Sequence, residues 1–182
     1  MMTFTMRPIL YTAVLSMLMT SCTGIVEAPD EGAGTTGVAV CSSNAYWMEK
    51  DKGSEFMHPG GKCITCHLKN ISAPLWKVAG TVYPTAHEPD ECNGVSSEFM
   101  DGGMSEVAIV ITDHTGQTKP PIPVNKVGNF KLIDILDPPY YVKVTYKGKE
   151  SKMMMPATSG DCNSCHTQNG EQGAAGRIVL PQ

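Results

Sequence analysis

Two five-residue stretches carry the chemistry, Cys63-Ile64-Thr65-Cys66-His67 and Cys162-Asn163-Ser164-Cys165-His166. Two residues between a pair of thiols amount to roughly one helical turn, so both sulfurs face the same side. A cysteine pair alone fits a redox dithiol or half of a zinc site. A histidine directly after the second cysteine narrows the choice, because it sets an imidazole nitrogen beside whatever the thiols hold. Covalent attachment of haem c asks for that combination: two thiols for the two vinyl groups on one porphyrin edge, and an axial nitrogen for the iron. The pattern occurs twice, which makes chance a poor explanation. The expected cofactors are therefore two haem c groups. Cys63, Cys66, Cys162 and Cys165 would hold them, with His67 and His166 as proximal iron ligands. The rival is one structural zinc site built from the four cysteines, which leaves both histidines without a role.

The far side of each iron decides the chemistry. Two strong ligands make an electron carrier, whereas an open position makes a site for catalysis or gas binding. His58, His87 and His114 are the remaining histidines, and methionines number 12. The segments ahead of the motifs look alike. Met57-His58-Pro59-Gly60-Gly61-Lys62 leads into Cys63, and Met155-Pro156-Ala157-Thr158-Ser159-Gly160-Asp161 leads into Cys162. Six extended residues reach about 20 Å, enough to wrap from the attached edge of a porphyrin to its distal face. Met57 or His58 is thus a distal candidate for the first haem and Met155 for the second. His87, in the loop Pro84-Thr85-Ala86-His87-Glu88-Pro89 near Cys92, is the main alternative, placed by this reading close to the first haem. His114 lies in a tight turn and is expected to be an exposed polar residue. Trp47, Phe56, Leu68, Leu75 and Trp76 are expected to wall the first haem.

Of 7 cysteines, four belong to the motifs. Cys22 ends an N-terminal stretch in which Arg7 precedes an apolar run, residues 8–19, too short to span a membrane comfortably. The ending Leu18-Met19-Thr20-Ser21-Cys22 resembles a bacterial lipobox, although Met19 stands where leucine is usual. The resemblance implies cleavage before Cys22 and lipid on that cysteine; an ordinary secretory leader is the rival. Either way the chain is exported to an oxidising compartment. Cys41 and Cys92 are left over and are expected to form a disulfide around the first motif, with two buried free thiols as the alternative. The net charge is −4, and loss of Arg7 with the leader makes it more negative. An acidic surface argues against a nucleic-acid partner and is compatible with docking on a basic patch of a redox protein.

The elements must position these residues. Residues 1–21 read as the leader, and 22–40, rich in Gly, Thr and acidic residues, as a flexible tether. Residues 41–75 hold the first haem segment, with a short helical turn expected at Tyr46-Trp47-Met48 and a helix at the motif. Residues 76–155 read as β-structure: Val78-Ala79-Gly80-Thr81-Val82-Tyr83, then Val107-Ala108-Ile109-Val110-Ile111-Thr112 with a turn at Asp113-His114-Thr115-Gly116. Gly128-Asn129-Phe130-Lys131-Leu132 and the alternating Tyr140-Tyr141-Val142-Lys143-Val144-Thr145-Tyr146 follow, with a turn at Lys147-Gly148-Lys149. Residues 156–182 hold the second haem segment and a tail expected to pack back as an edge strand. The order of these strands resembles the carboxypeptidase-regulatory-like, transthyretin-like sandwich modules of secreted proteins, save for a longer loop at residues 84–104. The fold class expected is mainly β, a transthyretin-like or Ig-like β-sandwich with short helical haem-binding segments at both ends.

Taken together, the chain resembles a dihaem c-type cytochrome lipoprotein. The resemblance implies electron transfer, more a carrier than an enzyme. Its partners would be other redox proteins of the cell envelope and a lipid membrane. It would be lipid-anchored in the periplasm or at the outer membrane or cell surface. The alternatives are a small peroxidase- or reductase-like enzyme with one open haem, and a surface assembly module that carries haems. Because the motifs flank the sandwich and domain ends often lie close in space, the two haems are expected near each other.

Overall fold

The computed structural model describes residues 39–51, 53–95, 100–101 and 104–182. The leader, the lipidation candidate Cys22 and the tether as far as residue 38 lie outside them. Strand propensity and alternation lay down the sheets. β1 (Val78–Tyr83), the ribbon pair β2 (Met100–Asp101) and β3 (Met104–Ser105), β4 (Ala108–Thr112) and β5 (Ile122–Pro123) come first. β6 (Asn129–Leu132), β7 (Tyr141–Tyr146), β8 (Lys149–Lys152) and β9 (Ile178–Val179) follow. One α-helix, α1 (Cys63–Lys69), carries the first motif.

The strands form a three-stranded sheet in the order β6-β1-β9 and a four-stranded sheet in the order β5-β4-β7-β8. Side chains from both meet in one core: Val78, Val82 and Phe130 from the first sheet, Ile109, Ile111 and Val144 from the second. Period-2 alternation does this, since Ile109 and Ile111 are the buried positions of β4 while their neighbours are part-exposed. The mainly-β sandwich expected from the strand order is the fold observed. β7 and β8 turn through Lys147 and Gly148, both with positive φ (47° and 75°), the two-residue hairpin that matches strand twist.

All six residues of β1 are buried. Its N–H groups point alternately to two edges. One edge pairs antiparallel with β6. The other is shared, with residue 79 bridged in parallel to Asp161 and residues 82–83 paired in parallel with β9. The tail does pack back as an edge strand. The second motif occupies the stretch of edge between those two pairings.

Three local expectations are corrected. Tyr46 is extended and bridges Cys92, with Trp47 N–H donating to Glu91 O, so no helical turn forms there. Strand pairing beside the disulfide overrides the weak local helix signal. The second motif is a single 3-10 turn, Cys162–Ser164, not an α-helix. Cys162 O still accepts from Cys165 and His166 N–H, but Cys165 O takes Glu171 N–H from the following loop, so the turn does not continue as a helix. The long loop at residues 84–104 also contributes the β2–β3 ribbon, which alternation did not reveal. Among the described residues, no helix is long and apolar enough to cross a membrane.

Candidate functional site

The residues inside the two motifs join them to each other. Asn163, the second residue of its motif, is almost wholly buried. Its Oδ1 accepts from Thr81 N–H at 3.0 Å, standing in for a strand partner next to the point where Ala79 N–H donates to Gly160 O. Its Nδ2 donates to Gly61 O at 2.9 Å and to Thr81 Oγ1 at 3.1 Å, and lies 3.7 Å from Cys63 Sγ. Thr81 Oγ1 also accepts from Gly60 N–H at 2.9 Å and donates to Asn129 Oδ1 at 2.7 Å. One hydroxyl on β1 is thus the junction between the entry to the first motif and the interior of the second.

The reverse link runs from Asp161. Its Oδ2 accepts from Thr65 N–H at 2.9 Å and from Thr65 Oγ1 at 2.7 Å, closing the first turn of α1 from outside the helix. Burial pushes the Cys63 and Cys162 thiols up to about 12, with the Asp161 carboxylate and the neighbouring thiol adding to the rise. The leading cysteines of the two motifs therefore share one acidic neighbourhood. Cys63, Cys162 and Cys165 are half-buried and Cys66 is exposed.

His67 and His166 are posed alike. Nδ1 of His67 lies 2.8 Å from Pro74 O, and Nδ1 of His166 lies 2.8 Å from Gly176 O. A carbonyl only accepts, so each Nδ1 donates its proton there, and Nε2 is the nitrogen left for another partner. In each case a loop returning 7 or 10 residues after the histidine supplies the carbonyl. Trp76 packs on His67 with ring centroids 4.1 Å apart, and Lys131 Nζ stands 5.3 Å over the far indole.

His87 sits beside the second segment rather than the first. Its Nδ1 donates to Gln168 O at 2.7 Å, and the ring is exposed. The loop is pinned there by the tail. Arg177 N–H donates to Ala86 O, its Nε to Glu88 O and its Nη2 to Asp90. Buried Glu88 in turn takes Ser42 N–H and the hydroxyls of Ser42 and Thr85. The Cys41–Cys92 bond is present, but these polar anchors, not the disulfide, decide which motif His87 accompanies. His58 stacks on Trp47 with centroids 4.4 Å apart; its Nε2 lies 3.2 Å from Asp90 O and its Nδ1 4.0 Å from Asp51. Met57 is half-buried, its carbonyl held by Asn129. Met155 is exposed and borders Gly173 in the loop after the second motif. His114 is an exposed turn residue with Nδ1 3.3 Å from Asp137 O. Of the expected aromatic wall, Trp76 meets His67, whereas Trp47 pairs with His58 and donates to Phe56 O.

The four motif cysteines do not converge on a point. Among the described residues, the only group of metal-binding type within mutual reach is Cys41, Glu88 and Cys92, and two of these form the disulfide. A four-cysteine zinc site is therefore not assembled by this arrangement. Large apolar side chains flank both motifs without cover: Leu68, Ile71 and Leu75 by the first, Met154 and Met155 by the second. Exposed apolar groups gathered around a site mark a surface made to be covered. Sequence reading passed over Thr81, Asp161 and Asn163; their short polar side chains have no periodic or motif signal of their own. Comparison of the chain with family models, curated proteins and solved structures gave no match.

Proposed function

We propose that this chain is a dihaem c-type cytochrome that carries electrons at the cell envelope. The observation that carries the reading is the matched pose of His67 and His166, each with Nδ1–H on a main-chain carbonyl and Nε2 free, each directly after a thiol pair. When bound, haem c supplies an iron that gains and loses one electron; the protein supplies attachment, orientation and field. Cys63 and Cys66 would form the thioethers of the first haem, Cys162 and Cys165 those of the second. Pro74 O and Gly176 O fix the orientation of the proximal histidine rings. Leu68, Ile71, Leu75, Met154 and Met155 offer apolar cover and exclude water. Thr65, Thr81, Asp161 and Asn163 hold the two attachment segments against each other, so two haems held there would be neighbours that could exchange an electron.

For the second iron, His87 and Met155 are the distal candidates, since both border that segment. His58 is less suited to the first iron, because its Nε2 faces a carbonyl, and Met57 is preferred there. The partner class is another envelope redox protein, with attachment to lipid through Cys22. Production with a haem-c maturation system tests the core reading: two haems per chain by pyridine haemochrome are expected, and none would overturn it. His87→Ala is expected to turn one of two low-spin haems high-spin; two unchanged low-spin haems remove His87 as a ligand. Peroxide turnover by the unaltered protein would favour the enzyme reading over the carrier.

A further inference from the structure

Asp161 stands where the two attachment segments meet. It is 5% exposed and directly precedes Cys162. One carboxylate oxygen takes both donors of Thr65, inside the first motif. The other, Oδ1, is buried and has no hydrogen-bond partner. Among the described residues, no lysine, arginine or histidine forms an ion pair with it. Burying a carboxylate without a cation is costly, so its retention between two sites calls for a reason. Positioning Thr65 explains one oxygen; it does not require a charge, since a neutral amide oxygen accepts the same two bonds.

We propose, resting on the haem reading above, that Asp161 is a shared tuning residue whose buried negative charge holds down the midpoint potentials of both haems. Reduction adds one electron to each iron. A fixed negative charge in a poorly screened interior opposes that addition and favours the oxidised state. Exposed lysines nearby, such as Lys62, Lys69 and Lys77, are screened by solvent and salt and act more weakly. Because Asp161 adjoins Cys162 and is bonded to Thr65, one carboxylate acts on two cofactors at once. It is a positioning and tuning residue, not an iron ligand.

The test is an optical redox titration of the lipidated or soluble holoprotein, resolving both haem transitions. Asp161→Asn keeps an acceptor for Thr65 and removes the charge; both midpoints are expected to move positive. Thr65→Val removes the hydroxyl bond and keeps the charge; neither midpoint is expected to rise. Asp161→Glu is expected to stay near the unaltered potentials. Two haems attached in Asp161→Asn with both midpoints unmoved, or with only one moved, would overturn the proposal. Haem is counted first by pyridine haemochrome, so a chain without haem refutes the haem reading separately. If Asp161→Asn and Asp161→Ser both fail to retain two haems while Asp161→Glu succeeds, Asp161 serves assembly and the tuning role is overturned.

Discussion

Asn163 fills a position that the attachment chemistry leaves open, yet it does more structural work than the motif cysteines. Replacing it by alanine leaves Thr81 N–H and Gly61 O buried without their partner. The expected loss is about 1–3 kcal/mol for each group left unpaired. Denaturant unfolding of the holoprotein measures it, and a loss near zero would show that water replaces the amide. Asn163→Asp restores the acceptor for Thr81 but not the donors, so it should recover part of the loss. The leading thiols give a second residue-scale prediction. Cys63 and Cys162, pushed up to about 12 chiefly by burial, hold almost no thiolate near neutral pH. In protein made without haem, both should alkylate more slowly than Cys165 at pH 8; equal rates would contradict it. The linkage has a definite sign. Neutral thiols with raised folded values contribute stability below the ordinary thiol value of 9.0, and that contribution is lost as pH climbs toward 12. Cys63 and Cys162 were recognisable in the sequence by spacing; their shared surroundings were not, because these depend on a strand lying between them in the chain.

At the scale of elements, the second motif rests on a strand edge and not on a helix. Gly160 makes the seating possible. A Cβ on it would strike Lys77 O, at the entry to β1. Gly160→Ala must therefore push the segment off the Ala79 edge, at a cost of roughly 1–3 kcal/mol or more, as overpacking costs elsewhere. The protein should lose thermal stability, and, on the haem reading, a haem at the second motif should become more exposed to added ligands. Unchanged melting would mean that the edge yields without penalty. Propensity and alternation made β1, β4, β6 and β7 legible to within a residue or so, since Val, Ile and aromatic residues recur there at period 2. β5 and β8 were not legible. Ile122–Pro123 is short and proline-rich, and Lys149–Lys152 is exposed throughout, so neither carries an apolar stripe. What makes them strands is hydrogen bonding to β4 and β7.

Across the whole molecule, one covalent clamp and one hydrogen-bonded clamp set the loops around the sandwich. The Cys41–Cys92 bond spans 51 positions. Closing a loop of that size restricts the unfolded chain by about 4 kcal/mol in the chain-entropy estimate. Cys41→Ser with Cys92→Ser should lower stability by up to that amount in a denaturant titration. On the haem reading, a two-haem spectrum should survive, because no motif residue is involved. Loss of both haems would instead give the disulfide a direct role in building the first site. The second clamp is the tail, through Arg177, which holds the His87 loop against the second segment. It explains why closeness to Cys92 in the chain did not predict which motif His87 would join.

The sequence by itself determined which residues stand close enough to act together. Two thiol pairs, each followed by a histidine, are written within five residues, and the cysteine count left Cys41 and Cys92 to pair. Alternation over six or seven residues set the main strands and their class. These are short-range properties, written within one turn of helix or a few residues of strand. Only the tertiary structure decided that the motifs share a floor on β1, that Asn163 and Asp161 cross-link them, and that His87 belongs to the second. Those relations join residues about 80 to 100 positions apart through single polar side chains. A buried amide or carboxylate finds its partner by the geometry of the folded chain, and no period or motif in the sequence encodes that meeting.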